Sequence, residues 1–335
     1  MGYQVTIKNI AEKLGVSIST VSRALSDHPD ISSKTKKAVK ELADVLGYKP
    51  NQVALNLKYQ STKTLGLVIP EIMHNYFSTV ISGVEDIAYD NDYSVVICQS
   101  NESYKREVVN IQTLLSNRVD GILVSLSKET KDISHIKKII NNKIPIVLFD
   151  RIIDDLNVVV VTNDDYKGAY TAVNHLIVKG CKRIAIYTAS EHLSIGKNRL
   201  SGYKDALCDN NITVDESLIF YCDTYLDSMK ITASILKRVD RPDGFFAVND
   251  MTAIGIMMTA KALEIKIPEE IKIIGFENSI SAGITSPGLT SVDQFGYEVG
   301  KEATKLLFKR IKNKQNEFLP EKRCIKTKLV LRNST

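Results

Sequence analysis

Several things are missing from this 335-residue sequence, and each absence excludes something. No apolar run approaches the roughly 18 residues that a membrane-spanning helix needs. The first residues lack the apolar core of a secretory signal. The cysteines, Cys98, Cys181, Cys208, Cys222 and Cys324, are odd in number, scattered and without a C-x-x-C pair. That pattern excludes a disulfide framework or a zinc site and suits a reducing compartment, the cytosol. There is no P-loop, no G-x-G-x-x-G after a strand and no H-E-x-x-H, and Asp and His residues are scattered without catalytic spacing. An enzyme is therefore not expected, and neither a cofactor nor a metal is implied. Met1-Gly2-Tyr3-Gln4-Val5-Thr6 fits the loose myristoylation pattern, but Thr6 has a better use as a helix cap.

A large net charge is also missing: the formal value is +5. Its distribution is uneven. Residues 1–62 hold nine Lys or Arg against five Asp or Glu, whereas the other 273 residues hold 35 against 34. Nearly all the positive surplus thus lies in the N-terminal fifth, as a phosphate-contacting surface requires. Apolar content of 44% and charged content of 25% are those of a globular protein, and the length predicts two or three domains.

What is present begins with Thr6 to Ala24. Ile7, Ile10, Ala11 and Leu14 fall at i, i+3, i+4 and i+7, the apolar stripe of a short helix, with Thr6 placed to cap its start. Gly15 can take the positive φ of a sharp helix exit. Ser17 then caps a second helix, in which Val21, Ala24 and Leu25 repeat the spacing. Two short helices joined by a Gly-containing turn have the helix-turn-helix layout, which an ordinary αα-hairpin shares. A third helix is predicted from Ser32 or Ser33, with Ala38, Val39, Leu42, Ala43 and Leu46 buried and Gly47 ending it. Residues 1–48 then form a headpiece near the lower size limit for independent folding. Residues 49–63 read as a hinge: a break at Tyr48-Lys49-Pro50-Asn51, one or two helical turns around Val53, Ala54 and Leu57, and a polar linker.

From Thr64 onward, short apolar runs alternate with amphipathic helices, the pattern of parallel sheets covered by helices. The units are too many for one open sheet. Two α/β subdomains with a cleft between them are predicted, at about 64–163 with 293–323 and about 164–292 with 324–333. Ligands of such sheets bind beyond the carboxyl ends of the strands. That rule nominates Glu71 to Phe77, Asp150-Arg151, Asn163-Asp164, Asn249-Asp250 and Glu277-Asn278.

TIKNIAEKLGVSISTVSRALSD, GYKPNQVALNLK and TLGLVIPE, followed in order by IVLFDR, NRLSGYKDAL, FFAVNDMTAIG, IIGFEN and LTSVDQFGYEVGKEA, resemble the lactose-repressor (LacI/GalR) family of bacterial transcription regulators. The resemblance spans essentially the whole chain. It implies a multidomain protein: a small all-α helix-turn-helix headpiece joined to an α/β, periplasmic-binding-protein-like effector domain of two parallel-sheet subdomains. It further implies a cytoplasmic, nucleoid-associated repressor that binds a double-stranded DNA operator and a small-molecule effector, a sugar or derivative. On this resemblance Ile18, Ser19 and Arg23 stand at base-reading positions, and Thr6, Ser17, Thr20 and Ser22 become phosphate binders or caps. Periodicity alone would bury Ile18, three residues before Val21, so its two readings conflict. Leu57 matches the hinge leucine wedged into the minor groove, flanked by Asn51, Ala54 and Lys58.

In the cleft the resemblance assigns effector contacts to Asp150, Arg199, Asn249 and Glu277, with Tyr76 and Phe77 as aromatic walls and Thr224 and Tyr225 where sugar binders often carry an aromatic. Three departures separate this chain from the family pattern. Glu277 replaces the usual Asp, His74-Asn75-Tyr76-Phe77 stands where Asn-Pro-Phe-Phe is common, and Thr224 is not aromatic. The sequence stops at Thr335 without a heptad tail, so a homodimer on a near-palindromic operator is expected. A regulator with a phosphoprotein co-effector is the alternative, and a solute-binding protein a remoter one.

Overall fold

The computed structural model describes residues 5–48, 61–153, 156–190, 192–313 and 320–335. The hinge positions Asn51, Ala54, Leu57 and Lys58 lie outside the described residues. The chain divides into two units, 1–62 and 63–335.

In the first unit, α1 (Ile7–Leu14), α2 (Ile18–Leu25) and α3 (Ser33–Val45) enclose a core of Ile10, Ala11, Val21, Ala24, Val39 and Ala43. The two glycines do what their lack of a side chain permits. Gly15 (φ +64°) and Gly47 (φ +63°) are left-handed. Each lets two orphan carbonyls be satisfied at once, through Val16 N–H to Ala11 O and Gly15 N–H to Glu12 O, and through Tyr48 N–H to Ala43 O and Gly47 N–H to Asp44 O. Ser17 and Ser32 accept from the Thr20 and Thr35 amides at 3.1 and 3.2 Å, as capping requires. Thr6 is the N-cap of α1, in a capping box with Asn9. Asn9 Oδ1 accepts both the Thr6 amide, at 2.9 Å, and the Thr6 hydroxyl, at 2.7 Å. Ala38 is exposed, because the α3 stripe is only as wide as Val39 and Ala43 allow.

The second unit holds two six-stranded sheets. The first is ordered β11 (Lys322–Ile325), β5 (Val159–Asn163), β4 (Ile146–Phe149), β3 (Gly121–Val124), β1 (Thr64–Ile69) and β2 (Ser94–Gln99), all parallel. The second runs β12 (Lys328–Val330), β10 (Thr290–Asp293), β9 (Lys272–Glu277), β8 (Gly244–Ala247), β6 (Ile184–Thr188) and β7 (Ile219–Tyr221). Here only β12 is antiparallel, to β10. Helices α4 (Asn75–Tyr89), α5 (Tyr104–Ser116), α6 (Ser134–Asn141) and α12 (Gly296–Lys312) belong with the first sheet. With the second go α7 (Asp165–Val178), α8 (Ser194–Asp209), α9 (Tyr225–Ile235), α10 (Asp250–Ala262) and the short α11 (Ile280–Ile284). Both faces of each sheet are therefore covered, which is why the strands read as continuous apolar runs rather than alternating ones.

The chain crosses between the sheets three times: after β5, after β10 and between β11 and β12. The last crossing falls between Ile325 and Lys328, beyond the boundary at 323 expected from sequence. The apolar pattern places one final strand near Ile325–Leu331, which covers β12 and leaves β11 unread. Helices α4 and α12 pack backbone to backbone, since a Cβ on Gly83 would strike the Tyr297 carbonyl and one on Gly300 the Val80 carbonyl. Among the described residues no helix is long and apolar enough to cross a membrane.

Candidate DNA-reading face and effector cleft

On α2 the buried residues are Val21 and Ala24. Ile18, Ser19 and Arg23 stand on the exposed side, and Thr20 and Ser22 are half-buried at its margins. Ile18 is 48% exposed, so the conflict between periodicity and resemblance is resolved against burial. It is the first residue of the helix, too close to the turn to reach the core. Arg23 is held only loosely, its Nη1 4.0 Å from Asp30 Oδ2, and its side chain is 57% exposed. Thr6 and Ser17, exposed at the starts of α1 and α2, complete the candidate residues that the described headpiece presents.

The effector cleft opens between the carboxyl ends of the two sheets, with a volume of about 680 Å3 including its solvent-open mouth. Tyr76, Phe77, Asp150, Arg199, Thr224, Asn249 and Glu277 all line it. Tyr225 does not: it begins α9, and its carbonyl accepts the Ser228 hydroxyl at 2.7 Å. Thr224 caps α9, accepting the Asp227 amide at 3.2 Å. Asn249 caps α10 through the Thr252 amide at 2.8 Å and donates to Asp223 O at 2.9 Å.

Each side chain is positioned by specific partners. Arg199 donates to Asp165 Oδ1 from Nε (2.9 Å) and Nη2 (2.7 Å) and to Val248 O from Nη1 (2.5 Å). Its guanidinium also lies 3.7 Å over the Phe276 ring. Asp150 accepts the Ser125 hydroxyl at 3.1 Å, and burial pushes its carboxyl up to about 6. Glu277 accepts the Tyr76 amide at 2.7 Å, at the first turn of α4, so the extra methylene relative to Asp lets a residue of the second sheet reach a helix of the first. Burial, with Asp250 nearby, pushes Glu277 up to about 7. Both carboxylates stand on strained backbone, with φ of +59° at Asp150 and +138° at Glu277, conformations that cluster at functional sites. Tyr76 and Phe77 meet edge to face, and the Tyr76 hydroxyl donates to Asn163 Oδ1 at 3.1 Å.

Sequence reasoning missed Glu102, Lys128, Ala189, Ile195, Asp223, Val248 and Gln294, which also line the cleft. Six of the seven follow the ends of β2, β3, β6, β7, β8 and β10, so the strand-end rule applied to every strand would have found them. Ile195 lies in the first turn of α8, a start hidden because the Ser194-Ile195-Gly196 opening has no helical periodicity. Gly196 is there for close approach: a Cβ would collide with the carbonyls of Ala189 and Ser190. Lys128 and Asp223 pair across the cleft at 3.5 Å, and Arg151 Nη1 lies 2.7 Å from both Glu102 oxygens.

Comparison with known proteins decides the family. Residues 6–51 match the bacterial regulatory proteins of the lacI family, and residues 173–335 match the periplasmic binding protein-like domain. The HTH-type transcriptional repressor PurR of Vibrio atlanticus (strain LGP32) is 34% identical over 93% of this chain and 93% of its own length. The chain belongs to the lacI family. Catabolite control protein A of Priestia megaterium is 32% identical, over 91% of this chain and 92% of its own. Among solved structures, the complex of the transcriptional regulator CelR with cellobiose has a TM-score of 0.75 and 26% identity, covering 99% of this chain and 100% of that one. As a lacI-family member the protein is a DNA-binding, ligand-responsive transcription regulator and not an enzyme, with the helix-turn-helix headpiece and two-subdomain effector fold described above.

Proposed function

We propose that this lacI-family regulator represses transcription as a homodimer on a near-palindromic operator, and that its cleft binds a small carbohydrate or carbohydrate derivative. The observation that carries the effector reading is the convergence of Asp150, Arg199, Asn249 and Glu277 on one cleft beside the Tyr76 and Phe77 rings. Carboxylate and amide oxygens accept from vicinal hydroxyls, a guanidinium donates a two-pronged fork, and aromatic faces cover the apolar side of a sugar ring. The cellobiose held by CelR supports the same chemistry.

On the DNA side, α2 enters the major groove. Arg23 pairs with guanine O6 and N7, Ile18 contacts a thymine methyl, and Ser19 reaches a neighbouring base edge. Thr6, Ser17, Thr20 and Ser22 hold phosphates and set register without reading sequence. Leu57, flanked by Asn51, Ala54 and Lys58, wedges the minor groove at the centre of the site. Such a protein works in the cytoplasm, on the nucleoid. The effector acts by binding one relative orientation of the two subdomains better than the other, which changes operator affinity by the same free energy.

The test is fluorescence anisotropy of the full chain on palindromic fragments selected from a random pool, with and without a panel of mono- and disaccharides. At least one sugar should shift operator affinity by about 5- to 150-fold, the usual range of such coupling. Tight operator binding that every sugar leaves unchanged would refute the effector reading.

A further inference from the structure

The charges lining the cleft do not balance. Among the described residues, carboxylates come from Glu71, Glu102, Asp150, Asp223 and Glu277, and permanent cations only from Lys128, Arg151 and Arg199. Each of those cations is already engaged by a carboxylate of this chain: Lys128 by Asp223 at 3.5 Å, Arg151 by Glu102 at 2.7 Å and Arg199 by Asp165 at 2.7 Å. A phosphate or carboxylate on an effector would compete with those carboxylates for the same cations, in a cleft whose described lining carries more negative than positive charge. An anionic effector is disfavoured.

Two carboxylates differ from the rest. Glu277 is 8% exposed and accepts a neutral amide, and no ion pair among the described residues reaches it. Asp150 is 6% exposed and accepts a neutral hydroxyl. Its nearest cationic nitrogen, Arg151 Nε, is 3.9 Å away on a guanidinium whose Nη1 is taken by Glu102. These two residues close the ends of β4 and β9, one in each sheet, so a single ligand in the cleft meets both. Glu277 thus has no ion pair among the described residues, and Asp150 shares the Arg151 guanidinium with Glu102.

Resting on the assignment of the cleft to a carbohydrate, we infer that the effector is an amino sugar free of phosphate and carboxylate, with Asp150 and Glu277 supplying the counter-charge to its protonated amine. Hydroxyl donors would satisfy the lone pairs of these oxygens without offsetting the negative charge that either carboxyl carries when ionised. An ammonium supplies both hydrogen bonds and charge where the surrounding dielectric is low. The raised carboxyls of both residues agree with this: burial outweighs the pull of Arg151 and Arg199 on Asp150 and of Arg199 on Glu277, and an ammonium would add to that pull.

Calorimetric titration of the full-length protein at pH 7 tests the inference, using glucose, galactose and cellobiose, their amino counterparts, and the hexose 6-phosphates of both kinds. In one pair the amine should bind at least about tenfold tighter than its neutral parent, a difference of about 1.4 kcal/mol, and the phosphates should bind weaker than either. In Glu277→Gln, confirmed folded by a cooperative melt, the preference for the amine should shrink to about twofold or less. A neutral parent that equals its amine, or a phosphate that binds more tightly, overturns this inference and leaves the carbohydrate site standing. A cleft that takes none of these sugars overturns both.

Discussion

In the headpiece the six fully buried side chains are all apolar, and the groups assigned to DNA stand outside, Arg23 with 57% of its side chain exposed. In the cleft the order is reversed: Asp150, Arg199 and Glu277 are 6, 4 and 8% exposed, beside strands such as Ile146–Phe149 and Gly244–Ala247 that are buried throughout. Water screens the headpiece charges, so holding them there costs folding little, and they exchange water for phosphates or base edges on binding. The cleft charges have lost their water in the free protein. Their positions are fixed in advance, but every one needs a partner. Function and stability should therefore separate in the headpiece and be entangled in the cleft.

The strongest way to break that contrast is Asp165→Ala, which strands the Arg199 guanidinium in the interior. A loss of about 3–5 kcal/mol is expected in urea denaturation of the effector unit. Asp30→Ala, beside Arg23, should change headpiece stability by less than about 1 kcal/mol. Equal losses would mean that burial does not set the difference.

Next comes pH. Glu277 and Asp150 hold their protons more tightly when folded, at about 7 and 6 against ordinary values of 4.5 and 3.8. A raised carboxyl favours the fold where it is protonated, so the effector unit should lose stability as pH rises from about 4 to 7, with Glu277 responsible for roughly 3 kcal/mol. In the headpiece the shift is opposite: the Lys40 contact holds Asp27 below its usual range, so that contribution is present at neutral pH and lost only on strong acidification. Chemical denaturation across pH 5 to 8 should show a declining effector transition that flattens in Glu277→Gln.

Arg23→Ala should cost about 1–3 kcal/mol in specific operator affinity by anisotropy, with thermal stability and sugar binding unaltered. The smallest effect sharpens the same point inside the headpiece. Ser17→Ala and Ser32→Ala each remove a helix cap and should each cost about 1 kcal/mol of stability. Of the two, only Ser17→Ala should also weaken operator binding, about equally across sequences, because only Ser17 is assigned a phosphate.

The same division decides what could be read from sequence. Headpiece elements rest on contacts between residues close in the chain, so the stripe of Ile10, Ala11 and Leu14, the Ser17 cap and the Gly15 exit were all legible. The failures there, Ala38 and the reading that buries Ile18, concern the width and end of a stripe, which periodicity cannot define. In the effector unit, strands and helices were legible from their apolar alternation, and four assigned polar residues meet in the cleft. Which carboxylate holds which cation was not, since Asp165 and Arg199, or Glu102 and Arg151, are brought together by sheet order and not by spacing. The split of residues 322–330 between two sheets was equally hidden, because three-residue β12 and four-residue β11 carry no pattern long enough to separate.

The three crossings between the sheets also impose a timetable on synthesis. Val299, Ala303, Leu306 and Leu307 of α12 complete the core that Leu65, Leu67 and Ile69 of β1 begin, and β11 supplies the edge strand of the same sheet. The first sheet therefore cannot close until Ile325 has left the ribosome, on the order of tens of seconds after its first strand emerges. The headpiece, made of local contacts, is complete long before. Throughout that interval the apolar face that α12 covers on β3, β4 and β5 has no partner helix, so the growing chain is more exposed to aggregation than the finished protein.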